Sequence, residues 1–257
     1  MFARMADGNP VPVRVISGQA TLLARTMHQI SVDSVHDELV VPNPFAEAIL
    51  FFRGGADGEE APIRIIQGPK TKLRWTDNVS VDPVHNEIFT AQRLTNAIFV
   101  FRRDASGDVE PIRIIQGPKT QLSTPKRVVV DPINNLLVVG NTQDPKGLLI
   151  FGRTDEGDMA PRAIISGARM TGNLGVKGFT IYPEGKRIFG VVKGQDSFVG
   201  VWKYSDNGDV APWVMLKGSR LISPAGIAFD PDTQEVFIEG GGRPGAVLVY
   251  HLPEFFR

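Results

Sequence analysis

Seven cations have spacing that follows a rule. Arg25, Arg74, Lys126 with Arg127, and Lys177 fall about fifty residues apart, and Arg93 and Lys193 form a second series about a hundred apart. Each can donate charge-assisted hydrogen bonds to carboxylate or phosphate oxygens. The chemistry these types support is capture of an anion. Other chemistries have less to stand on. With Cys 0, thiol nucleophiles, disulfides, Cys-ligated zinc and iron–sulfur clusters are excluded. His36 and His85 occupy one slot in successive repeats, which marks them as turn residues, while His28 and His251 stand apart. Gly240 to Gly245 reads GGGRPG, but a strand pattern follows it where a dinucleotide site needs a helix. Segments such as DASGDVE lack the spacing of a calcium loop and read as hairpin turns. No nucleophile elbow, H-E-x-x-H pair or Walker loop occurs.

The elements that must position these residues are repeats. PIRIIQGPKT occurs at 62–71 and again at 111–120, with weaker copies starting at Pro12, Pro161 and Pro212, so the prolines are 50, 49, 50 and 51 apart. Between them recur ISVD, VSVD, VVVD, FTIY and IAFD, then an apolar run such as AILFF or AIFVF. Each unit reads as four strands, a to d: a ends at the Asp, b follows a turn, c is the apolar run, and d is P-x-R-x-I. Alternation in PIRII is the period of a half-buried strand. A Gly stands in every c–d connection, where hairpins need φ > 0. No segment shows a helical period.

Four-stranded units at this period predict an all-β fold, a β-propeller of five blades in a single domain over 1–257. The blades are expected near 28–68, 78–117, 127–167, 177–218, and 226–250 completed by the N-terminal strand 12–18. Such closure would remove open sheet edges. Phe2 to Asn9 resembles Phe101 to Asp108, so the chain begins part-way through a c strand, which also admits a six-bladed ancestor or a truncation. No window is apolar enough for a membrane-spanning helix, and no export signal is evident in this chain.

Net charge is zero, yet its distribution is not even. With d–a and b–c connections at one end of the blades, that end sums to +9, against −20 for the a–b and c–d connections. A single-signed face steers oppositely charged partners. Trp75, and less directly Phe45 and Phe198, are the aromatics placed to stack on bases there.

The pattern of a closing Val-Asp, an apolar c strand and P-x-R-x-I-x-G resembles NHL-type and related bacterial propeller repeats over roughly Phe2 to Tyr250, with the fourth unit departing at Tyr182. That resemblance implies a binding scaffold whose basic face meets an anionic partner, RNA among them. It also brings in lactonase-like propellers, which hold a divalent cation at the channel mouth. Here Asn43, Asp77, Asn141 and Glu239 would supply the oxygens, with His28 as base. The first expectation is therefore a non-enzymatic binding propeller with no cofactor. A metal-dependent hydrolase and a structural subunit of a larger assembly are the alternatives.

Overall fold

The computed structural model describes all residues except 25–28, 173–174, 219–220, 222, 241–244 and 257. The fold is all-β, a five-bladed propeller built of antiparallel sheets. The first sheet joins β1 (Ser31–Asp33), β2 (Glu38–Asn43), β3 (Ala48–Arg53) and β4 (Arg64–Gln67) in order. The second joins β5 (Thr76–Asp82), β6 (Glu87–Gln92), β7 (Ala97–Arg102) and β8 (Arg113–Gln116). The third joins β9 (Pro125–Asp131), β10 (Leu136–Asn141), β11 (Gly147–Gly152) and β12 (Ala163–Ser166), and the fourth β13 (Val176–Tyr182), β14 (Arg187–Val192), β15 (Phe198–Lys203) and β16 (Val214–Lys217). The fifth contains β17 (Ile227–Asp230), β18 (Glu235–Gly240) and β19 (Ala246–His251). Apart from one four-residue helix, Ala168–Thr171, the only helical pieces among the described residues are three-residue 3₁₀ turns.

The chain divides into two compact units, Met1–Thr95 with Phe99–Arg113, and Asn96–Ile98 with Ile114–Arg257. In the first, the apolar runs bury Val41, Ala48, Leu50 and Phe52. In the second, Val138, Leu148, Ile150, Phe179 and Trp202 form one cluster. Phe189, Val199, Val236, Leu252 and Phe255 form another, so the C-terminal 3₁₀ turn Pro253–Phe255 seals its own end of that unit.

The recurring Asp at the end of each a strand is a turn clamp. Asp33, Asp82, Asp131 and Asp230 each accept two backbone N–H bonds from residues two and three ahead, the geometry of an Asx turn. The second oxygen takes the side chain of the third residue: His36 Nδ1 at 2.8 Å, His85 Nδ1 at 2.8 Å and Asn134 Nδ2 at 2.8 Å. The two histidines are turn residues, as their repetition implies. Asp131 also accepts from the Tyr204 hydroxyl at 2.8 Å. Burial, then the Asp131 carboxylate, raises the Tyr204 pKa above its ordinary value.

The motif P-x-R places its Arg against the start of strand b. Arg64 donates to Glu38 and stacks 3.8 Å over Phe51, and Arg113 pairs with Glu87 at 2.7 Å. In the fourth repeat the partners have changed together. Arg187 opens strand b in the Glu38 position and lies 4.6 Å over Trp213, while Val214 stands in the Arg slot of strand d.

Among the described residues the fifth sheet has three strands, and Pro12–Gly18 makes its bonds inside the first unit. Val13 N–H donates to Met1 O at 2.9 Å, as Ile63 does to Phe51 and Ile112 to Val100. Met1 thus fills the c-strand place beside this segment, and the resemblance of the first residues to a c strand is structurally real. On β19, Val247 and Val249 are exposed.

Removing a buried clamp should destabilise far more than removing an exposed one. Asp131→Ala is expected to lower unfolding stability by about 3 kcal/mol in urea titration, and Asp230→Ala, partly exposed, by about 1 kcal/mol.

Candidate functional site

The sequence PIRIIQGPKT builds the connection on which most of the candidate cations sit. After strand d, Gly68 and Gly117 adopt φ 135° and 136°, and a Pro-Lys-Thr 3₁₀ turn follows. Only Gly takes this conformation without strain. The Thr hydroxyl closes the turn, as Thr71 Oγ1 donates to Gly68 O at 2.6 Å. A carboxylate from the c–d loop of the next repeat then accepts a backbone N–H of the turn: Asp108 from Lys70, Asp158 from Lys119 and Asp209 from Arg169, each at 2.7 Å. Glu59 does the same for Ala20 at 3.0 Å. A Cβ on Gly68, Gly117 or Gly167 would overlap the same carboxylate.

These latches revise the charge map. The c–d loop carries its acid back along the preceding d strand, with parallel bridges Ile16–Gly58, Ile66–Gly107, Ile115–Gly157 and Ile165–Gly208. Four acids that belong by connectivity to the opposite end therefore lie against the d–a turns. The separation of charge by end is weaker than loop counting implies.

In the first unit, two of the seven cations meet acids. Arg74 Nη1 lies 2.8 Å from Glu47 Oε2, and Arg93 Nη1 lies 3.9 Å from the buried Asp77. Arg25 is outside the described residues. In the second unit, Lys126 is partly buried on β9, and Lys177 and Lys193 are exposed. None of these three has an ion pair with a described residue. Arg127, also on β9, lies 5.2 Å over the Phe179 ring, and its Nε is buried without a hydrogen-bond partner. Burial alone pushes its pKa down to about 9.

The residues proposed as oxygen ligands have other employment. Asn43 Nδ2 donates to Leu22 O at 2.8 Å, and Asn141 Nδ2 to Gln121 O at 2.7 Å. Asn141 Oδ1 accepts Ser123 N–H, and the equivalent Gln92 Oε1 accepts Arg74 N–H at 2.7 Å. An amide at the end of strand b therefore braces the d–a turn in three repeats. The recurrence of Asn, Gln and Asn in one slot was the available signal. Asp77 faces Arg93, and Glu239 is exposed beside Gly226. Among the described residues no three His, Asp or Glu side chains gather as for a metal ion. These donors do not fit a catalytic cation. His28 and 241–244 of the glycine run lie outside the described residues.

Two open clefts occupy the same repeat position, between the b–c connection and the d–a turn. One of about 550 Å³ is lined by Gly194, Gln195, Asp196, Ser197, Lys217 and Leu221. Another of about 330 Å³ is lined by Glu47, Gln67, Lys72 and Arg74. Near the second, Phe45 and Trp75 meet edge to face at 5.2 Å. Phe198 is buried and offers no stacking surface.

No family model matches this chain, and no curated protein matches it in sequence. Solved structures do match in fold. Hydrazine synthase of Kuenenia stuttgartiensis superposes with a TM-score of 0.61 at 10% identity, over 94% of this chain and 69% of that one. A chain of the mitotic checkpoint complex gives 0.59 at 14%, over 83% and 60%. A chain of the nidogen/laminin complex gives 0.58 at 16%, over 89% and 81%. At these identities the likeness is one of fold. Among the described residues no helix is long and apolar enough to cross a membrane.

If the amides are braces, Asn43→Ala and Asn141→Ala should each cost about 1–2 kcal/mol, because a loop carbonyl loses its donor. Thermal melts with and without calcium check this. The loss should be the same in both, whereas a calcium-dependent stabilisation abolished by either variant would restore the metal reading.

Proposed function

We propose that this chain is a non-enzymatic binding scaffold that engages an anionic partner through the d–a side of its blades. The observation that carries this reading is the contrast within the cation set. Arg74 and Arg93 are neutralised by Glu47 and Asp77, while Lys126, Arg127, Lys177 and Lys193 have no acidic partner among the described residues. Lys and Arg have no special aptitude for turns, so repetition of turn chemistry does not account for them. Charges left unpaired on one side raise the local concentration of anions and speed their encounter.

The resemblance to NHL-type repeats supports the same direction, since such propellers meet RNA on a basic face. Two of the fold neighbours are chains of complexes, the mitotic checkpoint complex and nidogen/laminin, which agrees with a scaffold role for the architecture. With Phe45 exposed and Trp75 half-buried against it, base stacking has a small platform here. Backbone phosphates or clustered carboxylates suit the surface better than bases do.

Fluorescent heparin and single-stranded RNA titrated across a salt series test the reading. Binding should weaken steeply with salt, and Lys177→Glu with Lys193→Glu should reduce affinity at least about tenfold at low salt. Both lysines are exposed, so the variant should fold. Absence of binding at about 50 mM salt overturns the proposal.

A further inference from the structure

Five residues share one slot, four positions before the turn-clamp position of each repeat: Gln29, Asn78, Arg127, Gly178 and Gly226. In the first unit the slot satisfies itself, because Asn78 Nδ2 donates to Gln29 Oε1 at 3.0 Å. In the second unit it does not. The next two repeats place Gly178 and Gly226 in the slot, where the Ala225 carbonyl oxygen and the Glu239 carboxylate respectively occupy the space a Cβ would take. The Arg127 Nη1 reaches over Gly178, where a Cβ would stand 3.3 Å from it. Phe179 covers the guanidinium at 5.2 Å, and the ring is itself seated against Gly140, the ladder partner of Arg127.

A guanidinium stays protonated at neutral pH, and burying it without a counter-charge is expensive. Elsewhere even exposed arginines in this chain have found one. Arg53 places Nε and Nη2 at 2.7 and 2.8 Å from the two oxygens of Glu60, and Arg102 holds Asp104 by the same edge at 3.0 Å. The Arg127 guanidinium makes no hydrogen bond or ion pair with a described residue, and its Nε is buried without a partner. A ring packed against a guanidinium leaves the in-plane edge for a partner. That edge matches a carboxylate, which accepts two parallel bonds.

We propose that Arg127, backed by Phe179, is a carboxylate-binding site within the second unit. This rests on the anion reading above for the sign of the ligand and departs from it in scale, since one carboxylate fills the edge and no extended polyanion is needed.

Citrate is the probe, against sodium chloride at equal ionic strength. In a ¹H–¹⁵N spectrum of the arginine side chains, citrate should shift one Nε–H resonance, absent in Arg127→Met, and should raise the melting temperature of the wild type. Arg127→Met should show no citrate response and should melt about 2–4 °C higher than wild type in chloride, because an unpaired buried charge is gone. Arg127→Lys keeps the charge without the fork and should need about tenfold more citrate. No shifted Nε–H in the wild type, or an equal citrate response in Arg127→Met, overturns the site. The Lys177→Glu/Lys193→Glu variant separates the two proposals. Loss of heparin binding with the citrate response intact supports both. Heparin binding with no Arg127 response overturns the site alone, and a citrate response without heparin binding overturns only the polyanion reading.

Discussion

A four-stranded sheet can satisfy its own ladder, but it cannot satisfy the turn through which the chain leaves it. In this protein that turn is a Gly followed by a 3₁₀ segment, or by one α-helical turn at Ala168–Thr171, whose leading N–H groups have no acceptor inside the turn. A carboxylate from the next repeat supplies it, at 2.7 Å in three repeats and 3.0 Å in a fourth. Charge-assisted bonds of this kind are among the stronger polar contacts available. The glycine must have no side chain because the carboxylate occupies its place, and it must reach positive φ because the turn starts there. One contact thus fixes the identity of the Gly, the acid and the spacing between them. It also ties each repeat to its successor, as expected of an array whose units contact chiefly their neighbours.

The same contact governs what charge is left over. Acids that cap turns or clamp Asx turns are committed to backbone N–H groups, and those committed in the latches lie among the lysines and arginines of the d–a connections. Net charge by loop is therefore a poor guide to the field. The more telling quantity is which cations have a carboxylate of their own. Arg53, Arg64, Arg74 and Arg102 do, whereas Arg127, Lys126, Lys177 and Lys193 of the second unit do not among the described residues.

The repeat frame was legible because it is written by spacing. Strands c and b fall within a residue or so of where the apolar runs and Val-Asp endings place them, since period-two burial and Gly or Asx turns are local signals. The histidines of the a–b turns could be read as structural from repetition alone. The roles of Asn43 and Asn141 could not. An amide oxygen looks the same to a reader whether it will face a cation or a loop N–H, and the choice is set by a turn some twenty residues away. The path of the c–d loops was hidden for a related reason. Connectivity assigns a loop to one end of a sheet, but a seven-residue loop can run back along the neighbouring strand, and these do. The segment 12–18 is bonded by the residues before it, through Met1 O, a pairing that Phe2 to Asn9 foreshadow by their likeness to a c strand.

Departures from the repeat carry a different kind of information from the repeat itself. Where a slot changes in one unit and its contact partner changes with it, as where Arg187 replaces the Glu of strand b and Val214 the Arg of strand d, with Trp213 under the guanidinium, the change is structural repacking. Where the slot changes and the partner does not appear, the account stays open. The slot of Gln29 and Asn78 closes on itself by one amide–amide bond, while Arg127 introduces a full charge beside Gly178 with no ion pair to a described residue. A fold selected only for stability has no reason to keep that charge, because an apolar side chain of similar length would pack against Phe179 without the desolvation penalty. Retaining the guanidinium makes physical sense if something outside the chain completes it.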